Sequence, residues 1–130
     1  MNFFIAGVPK KITLILKGAA NNAQSDSKGV YILGPNQENG KSYWIQEGGS
    51  YALWFNKFWM FGKIENLGKN IAGINSPDDS VSPLEATNWS YVRNDEWINA
   101  SDLIILSELG IYLLLLFHVE KSYILCTYVH

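Results

Sequence analysis

The sequence has few residues that could carry out catalysis or bind a metal ion. It has one cysteine, Cys126, and two histidines, His118 and His130, in 130 residues. A single cysteine excludes an intramolecular disulfide and any zinc site built from several thiolates. General acid–base chemistry with an imidazole would have to use one of the two histidines, which both lie in a C-terminal stretch of atypical composition. We therefore expect no histidine-dependent catalysis, no metal and no cofactor.

The chain also lacks an excess of charge and a long apolar run. Ten Lys+Arg stand against twelve Asp+Glu, a formal net charge of -2. This balance creates no field that would gather phosphate backbones or anionic lipid, so we expect no nucleic-acid partner. The uncharged stretch over residues 109–118 is about half of the roughly 20 residues that a membrane-spanning helix needs. We do not expect the chain to cross a membrane.

Carboxylates are present, but their local context favours turns. Asp78 and Asp79 directly follow Pro77, a position where acidic side chains open turns by hydrogen bonding to the backbone. The calcium-binding loop spacing of an EF-hand is missing. A small Asp/Glu-dependent hydrolase remains an alternative, and it would need two carboxylates that converge in a cleft.

Aromatic residues are the abundant class, at 14% of the chain, and five tryptophans lie between Trp44 and Trp97. Each lies in a short aromatic or β-branched run closed by Gly, Asn or Asp, the pattern of short strands. The sequence predicts one all-β domain over residues 12–106, a compact antiparallel sheet or a small barrel or sandwich of about eight strands. The predicted strands are residues 12–16, 30–33, 42–46, 51–55, 58–61, 89–92, 96–98 and 103–106.

Turn residues predict how these strands connect. Asn39-Gly40 accepts positive φ at both positions of a tight turn, so residues 30–33 and 42–46 are predicted to form a hairpin. The break at Asn56-Lys57 predicts a second hairpin. Residues 19–28 are predicted to be a loop and residues 63–87 a long irregular segment. The first and last strands, alike in composition, are predicted to pair and close the sheet.

Residues 107–130 form a hydrophobic tail whose composition differs from that of the preceding domain. Its sequence is compatible with a pair of strands, with a helix that covers the core, or with a segment outside the domain. We expect the domain to fold without it.

The positions of the aromatic and glycine residues allow a comparison with a known class of domain. The residues that carry the comparison are 29–31, 39–43, 51–54, 58–62, Pro83, Trp89 and 96–97. Their pattern resembles a small tryptophan/glycine-rich β-domain that recurs, alone or in tandem, in predicted multidomain proteins of protists and invertebrates. The resemblance implies an all-β module used for binding or interaction within a larger protein, and it transfers no catalytic residue.

Aromatic residues near the hairpin turns are the candidates for ligand binding. Side chains alternate between the two faces of a strand, so at least one indole in each hairpin could face solvent. An exposed indole with amides nearby can stack on the apolar face of a sugar, and the alternative is that the rings fill the core. The ligand-binding candidates are Trp44, Trp54, Asn39, Gln46 and Asn56.

These observations predict a non-enzymatic binding or interaction module, normally part of a larger protein, with a protein or a neutral glycan as partner. A carbohydrate-binding, lectin-like domain is the first alternative, and it would need two or more indoles exposed on one face. The hydrolase is the second.

Overall fold

The computed structural model describes residues 7–116 of the chain and consists mostly of strands. Nine antiparallel strands form one sheet that curls into a half-barrel, which confirms the predicted all-β class. The strands are β1 (Lys11–Ile15), β2 (Gly29–Glu38), β3 (Lys41–Gln46), β4 (Tyr51–Asn56), β5 (Phe58–Lys63), β6 (Ile74–Ser76), β7 (Ser90–Arg93), β8 (Glu96–Asn99) and β9 (Ile104–Ser107). Two helices accompany them, α1 (Gly18–Gln24) and α2 (residues 108–116).

The order of the strands explains why the sheet curls. It runs β8-β7-β6-β5-β4-β3-β2-β1-β9, so β8 and β9 are the two edges among the described residues. Only residues 100–103 connect these edges. An extended chain reaches at most about 3.5 Å per residue, so this linker can bridge only a short distance. The two edges must therefore approach each other. The predicted pairing of the first and last strands is confirmed, with Thr13 opposite Leu106, but this pairing does not close the sheet.

Both predicted hairpins are confirmed. β2 and β3 are joined by Asn39 and Gly40, whose φ angles are 53° and 79°. Positive φ at both central positions matches the twist of the two strands. In the β4–β5 hairpin, Lys57 stands alone at the tip with a φ of 65°.

The larger core lies on the concave face of the sheet and is mainly aromatic. Tyr31 and Phe61 meet edge to face with ring centroids 5.1 Å apart, and the rings of Trp44 and Trp59 are 6.1 Å apart. Trp89 packs against Phe61 at 5.6 Å. Offset and edge-on contacts of this kind are the preferred arrangement of aromatic pairs.

Helix α1 closes one side of this core, and the prediction of a loop at residues 19–28 is wrong there. Ala20 is buried and Ala23 packs against the same cluster. The Gln24 side chain donates a hydrogen bond of 2.9 Å to the carbonyl of Val92. The segment consists mainly of small and polar residues, so its sequence shows no hydrophobic periodicity that would predict a helix. Contacts with the sheet stabilise the helix instead.

A second, smaller core lies on the convex face. Tyr43, Ala52, Trp54 and Met60 are buried together. The chain between β5 and β6 covers them, with Leu67 and Ala72 packed against the cluster. The middle of the sheet is therefore buried on both faces.

The remaining differences from the sequence prediction lie in short or terminal segments. β6, within the predicted irregular segment, is a three-residue strand that pairs with both β5 and β7. The first part of the predicted tail is the helix α2, which follows β9 directly. The rest of the tail, with Cys126 and both histidines, lies outside the described residues.

Candidate binding surfaces

The two predicted ligand-binding tryptophans are buried. The exposed fraction is 2% for Trp44 and 0% for Trp54. Each indole N–H donates to a backbone carbonyl, Trp44 to Pro9 at 2.8 Å and Trp54 to Lys69 at 2.9 Å. The expectation of an exposed stacking face at these positions is wrong, because separate cores cover the two faces of the sheet.

Asn39 and Asn56, two of the three predicted amides, hold one loop. The Nδ2 group of Asn39 donates to the carbonyls of Phe55, at 2.8 Å, and Gly68, at 3.1 Å. Asn56 Nδ2 donates to the same Gly68 carbonyl at 2.9 Å. These bonds fasten the covering segment of the convex face to the tips of both hairpins.

Gln46, the third predicted amide, is buried on the concave side and fastens another turn. Its Nε2 donates to the carbonyls of Asp26 and Lys28, at 2.8 and 2.9 Å, and its Oε1 accepts from the Tyr51 N–H at 3.1 Å. The five predicted residues therefore hold the fold together and do not meet in one site.

One tryptophan of the five is exposed. Trp97, on the edge strand β8, has 50% of its surface accessible, and the other four are buried. The lectin-like arrangement of two indoles exposed on one face is thus not present in residues 7–116.

Asp78 is the best-connected carboxylate among those considered from sequence. Its Oδ2 accepts from the Thr87 hydroxyl and, at 2.6 Å, from the Thr87 N–H, and its Oδ1 accepts from Asn88 at 3.3 Å. The hydrogen bond from the Thr87 hydroxyl is the largest cause that lowers the pKa of Asp78, and the hydrogen bond from the Thr87 backbone is the next largest. Asp78 thus serves to hold the loop that precedes β7, in line with the predicted turn role.

Other carboxylates line a cleft of about 570 Å³ beside the turn between β3 and β4. Asp26, Glu47 and Glu65 surround it together with Lys63. Within residues 7–116 no three His, Cys, Asp or Glu side chains are grouped so that they could hold a metal ion.

An apolar cleft of about 310 Å³, here called the indole cleft, opens on the concave side. It lies between residues 7–9, the start of β3 and the loop at residues 81–83. The Nζ atom of Lys41, at its rim, lies 5.0 Å from the centre of the Phe55 ring. Its lining includes Val8, Pro9, Trp44, Trp59 and Val81.

A second cleft, of about 410 Å³ and here called the amide cleft, lies where the segment before β7 meets the connection from β8 to β9. Its polar lining is Thr87, Asn88, Asn99 and Ser101. Leu84 and Leu103 contribute apolar walls. No local motif predicts that these residues share one cleft, because it is the β7–β8 pairing that brings the two segments together.

Among the described residues, α2 has the largest group of exposed apolar side chains. Six of its side chains are 41–65% exposed, namely Leu109, Tyr112, Leu113, Leu114, Leu115 and Leu116. Composition marked this stretch as hydrophobic, but it neither covers the core as a helix nor forms a strand pair. Over the described part of the chain, no helix has the length and hydropathy to cross a membrane.

Comparisons of the whole chain with protein-family models, with curated proteins and with solved structures find no match.

Proposed function

We propose that this chain is a non-enzymatic protein-interaction module, normally carried within a larger protein, and that α2 is its contact surface. The observation that supports the proposal is the exposure of six apolar side chains on one nine-residue helix. Folded proteins rarely expose a large contiguous apolar patch unless it meets a partner. A helix that is apolar all round is normally buried.

The position of α2 in the fold suits a docking role. It directly follows β9, an edge strand of the sheet in residues 7–116. β9 has the sequence Ile104-Ile-Leu-Ser107 and carries no charged side chain that would discourage pairing, whereas the other edge, β8, carries Glu96. A partner could therefore cover the helix and pair with the adjacent strand in one interface.

A polypeptide groove fits α2 better than a lipid surface. Helices that lie on membranes combine an apolar face with a polar face rich in Lys and Arg. α2 contains no basic residue, its one charged residue is Glu108, and the chain as a whole is slightly acidic. Apolar side chains around the full circumference match a groove or a helical bundle that surrounds the helix.

Site-specific photo-crosslinking tests the proposal. The full chain is expressed, in cells that naturally produce it, with a photoreactive phenylalanine derivative in place of Leu113. A matched control carries it at Lys57, an exposed hairpin tip. We expect a discrete polypeptide adduct from position 113 that is missing from position 57. A second copy of this chain as the adduct would also support the proposal.

The partner is then purified for a direct binding measurement. Replacing Leu113 and Leu115 together by Ser should weaken its affinity about tenfold or more, since apolar anchors at the centre of an interface carry most of the binding energy. Identical adducts from both positions would contradict the proposal. So would flotation of the chain with neutral phosphatidylcholine vesicles that the same double substitution abolishes.

A further inference from the structure

The geometry points to a binding site in the amide cleft for a neutral, hydroxyl-rich ligand of the pyranose class. This site is separate from α2 and does not depend on the proposed interaction function. The cleft is uncharged, because no ionisable side chain lines it among the described residues. A charged ligand would find no counter-ion there, so a neutral one is favoured.

The polar groups of the cleft match adjacent hydroxyls. Asn88 and Asn99 each offer an amide, and Thr87 and Ser101 each offer a hydroxyl. Amides and hydroxyls both donate and accept hydrogen bonds, as the neighbouring hydroxyls of a sugar do. Leu84 and Leu103 provide apolar surface for the C–H face of a sugar ring. The volume of about 410 Å³ lies in the range of small-molecule sites.

One wall of the cleft is held in place before any ligand binds. Asp78 accepts from the backbone and hydroxyl of Thr87 and from the amide nitrogen of Asn88, at 3.3 Å. Because the Asn88 nitrogen is engaged, its oxygen is the atom that can accept from a ligand. Asn88 also has a φ of 55°, a conformation that non-glycine residues adopt rarely and that often occurs at functional sites.

The opposite wall is positioned by the β7–β8 ladder. Ser90 lies opposite Asn99 in that pair. The N–H of Ala100 donates to the carbonyl of Trp89 at 2.8 Å, which extends the ladder past the end of β8. The backbone beside each amide is therefore fixed, which lowers the entropic cost of binding.

The other clefts suit different chemistry. Lys41 stands at the rim of the mostly apolar indole cleft, and three carboxylates with Lys63 surround the cleft at the β3–β4 turn. The amide cleft is the one of these three whose polar groups are all neutral.

Titration by two-dimensional amide NMR tests the inference on the full chain produced in bacteria, since Asn88 and Asn99 each begin an N-glycosylation acceptor triplet. The probes are D-glucose, D-galactose, D-mannose and N-acetyl-D-glucosamine, at millimolar concentrations. We expect at least one of them to bind and to shift amide signals of residues 83–89 and 99–105.

Matched variants identify the groups that bind. Asn88→Gly keeps the positive φ and removes the amide, and Asn99→Ser shortens the other. Each should weaken binding of the active sugar about tenfold, the loss expected for a hydrogen bond of about 1.4 kcal/mol. The control is Asn22→Ser at an exposed position of α1, which should bind like the wild type.

Three results would overturn the site. These are no shift with any of the four sugars, shifts confined to residues around the indole cleft, and equal binding by the wild type and both cleft variants. Tighter binding of D-glucuronate than of any neutral sugar would overturn the ligand class.

Discussion

Four tryptophans stabilise this fold in two ways, by packing of the ring and by a hydrogen bond from the indole N–H. Their rings fill the two cores, and each N–H donates to the backbone of a segment outside the sheet. The acceptors are the carbonyls of Pro9, Lys69, Ser80 and Ala86. A buried N–H needs a partner. These four bonds therefore hold the irregular segments against the sheet.

Removal of Trp54 should be strongly destabilising. Trp54→Ala leaves a cavity in the small convex core and frees the carbonyl of Lys69, so we expect a loss of about 3–5 kcal/mol. The matched control is Trp97→Ala, on an exposed edge, which should cost about 0.5 kcal/mol or less. Urea unfolding followed by circular dichroism measures both, and equal losses would show that the convex core contributes little.

Acid stability should depend on Asp78. Hydrogen bonds from Thr87 and Asn88 lower its folded-state pKa below the ordinary value of 3.8. A lowered pKa stabilises the fold above the unfolded-state pKa, and this contribution is lost as pH falls through the folded-state pKa. The urea midpoint of Asp78→Asn should therefore lie below that of the wild type at neutral pH and approach it toward pH 2. Asp79→Asn is the matched control, and a gap between Asp78→Asn and wild type that stays constant with pH would contradict the assignment.

At the scale of elements, tight hairpins and short connections set the order of the sheet. Consecutive strands pair all along β1 to β8, and β9 then joins the free side of β1. The β2–β3 hairpin has a further role, because the side chain of Asn39 at its tip bonds to the covering segment of the convex face through Gly68. Turn chemistry and coverage of the core are therefore coupled at one position.

Gly40 tests this hairpin. Gly40→Val forces a β-branched side chain into a φ of 79° and should cost about 1 kcal/mol or more. Asn36→Val is the control, since Asn36 is exposed in the same hairpin and is not among the positive-φ residues. Differential scanning calorimetry compares the two, and an unchanged Tm for Gly40→Val would contradict the turn assignment.

At the scale of the whole molecule, the sheet core and the exposed helix α2 are separable. β9 pairs with β1 and belongs to the sheet, whereas six side chains of α2 face solvent. Removal of α2 therefore costs the sheet core little buried surface.

A chain that ends at Ser107 should remain folded and unfold cooperatively, with solubility equal to or above that of the full chain, because an exposed aliphatic run promotes aggregation. It should also fail to bind the partner found by crosslinking at position 113. Circular dichroism and sedimentation velocity are the measurements. An unfolded or aggregated product would show that residues 108–130 complete the core.

Local sequence was sufficient for the features that depend on near neighbours. The short aromatic and β-branched runs around Trp44 and Trp59, each closed by turn-forming residues, predicted strands. Asn39-Gly40 predicted its hairpin, because few residues accept positive φ. The scarcity of cysteine excluded a disulfide scaffold, and the tail after Ser107 was marked by composition.

Only the tertiary structure decided which surfaces are free. Alternation predicted that at least one indole in each hairpin could face solvent, but it could not show that residues 64–73 fold back over the convex face and bury Trp54. The sequence of α1 has no apolar periodicity, because small alanines rather than large apolar residues form its packed face. Only the contacts of these alanines with the sheet show that the segment is a helix. Asn88 and Asn99 meet at one cleft because β7 pairs with β8. Burial and clefts arise from contacts between segments that are distant in sequence. The properties of single residues and their near neighbours do not determine those contacts.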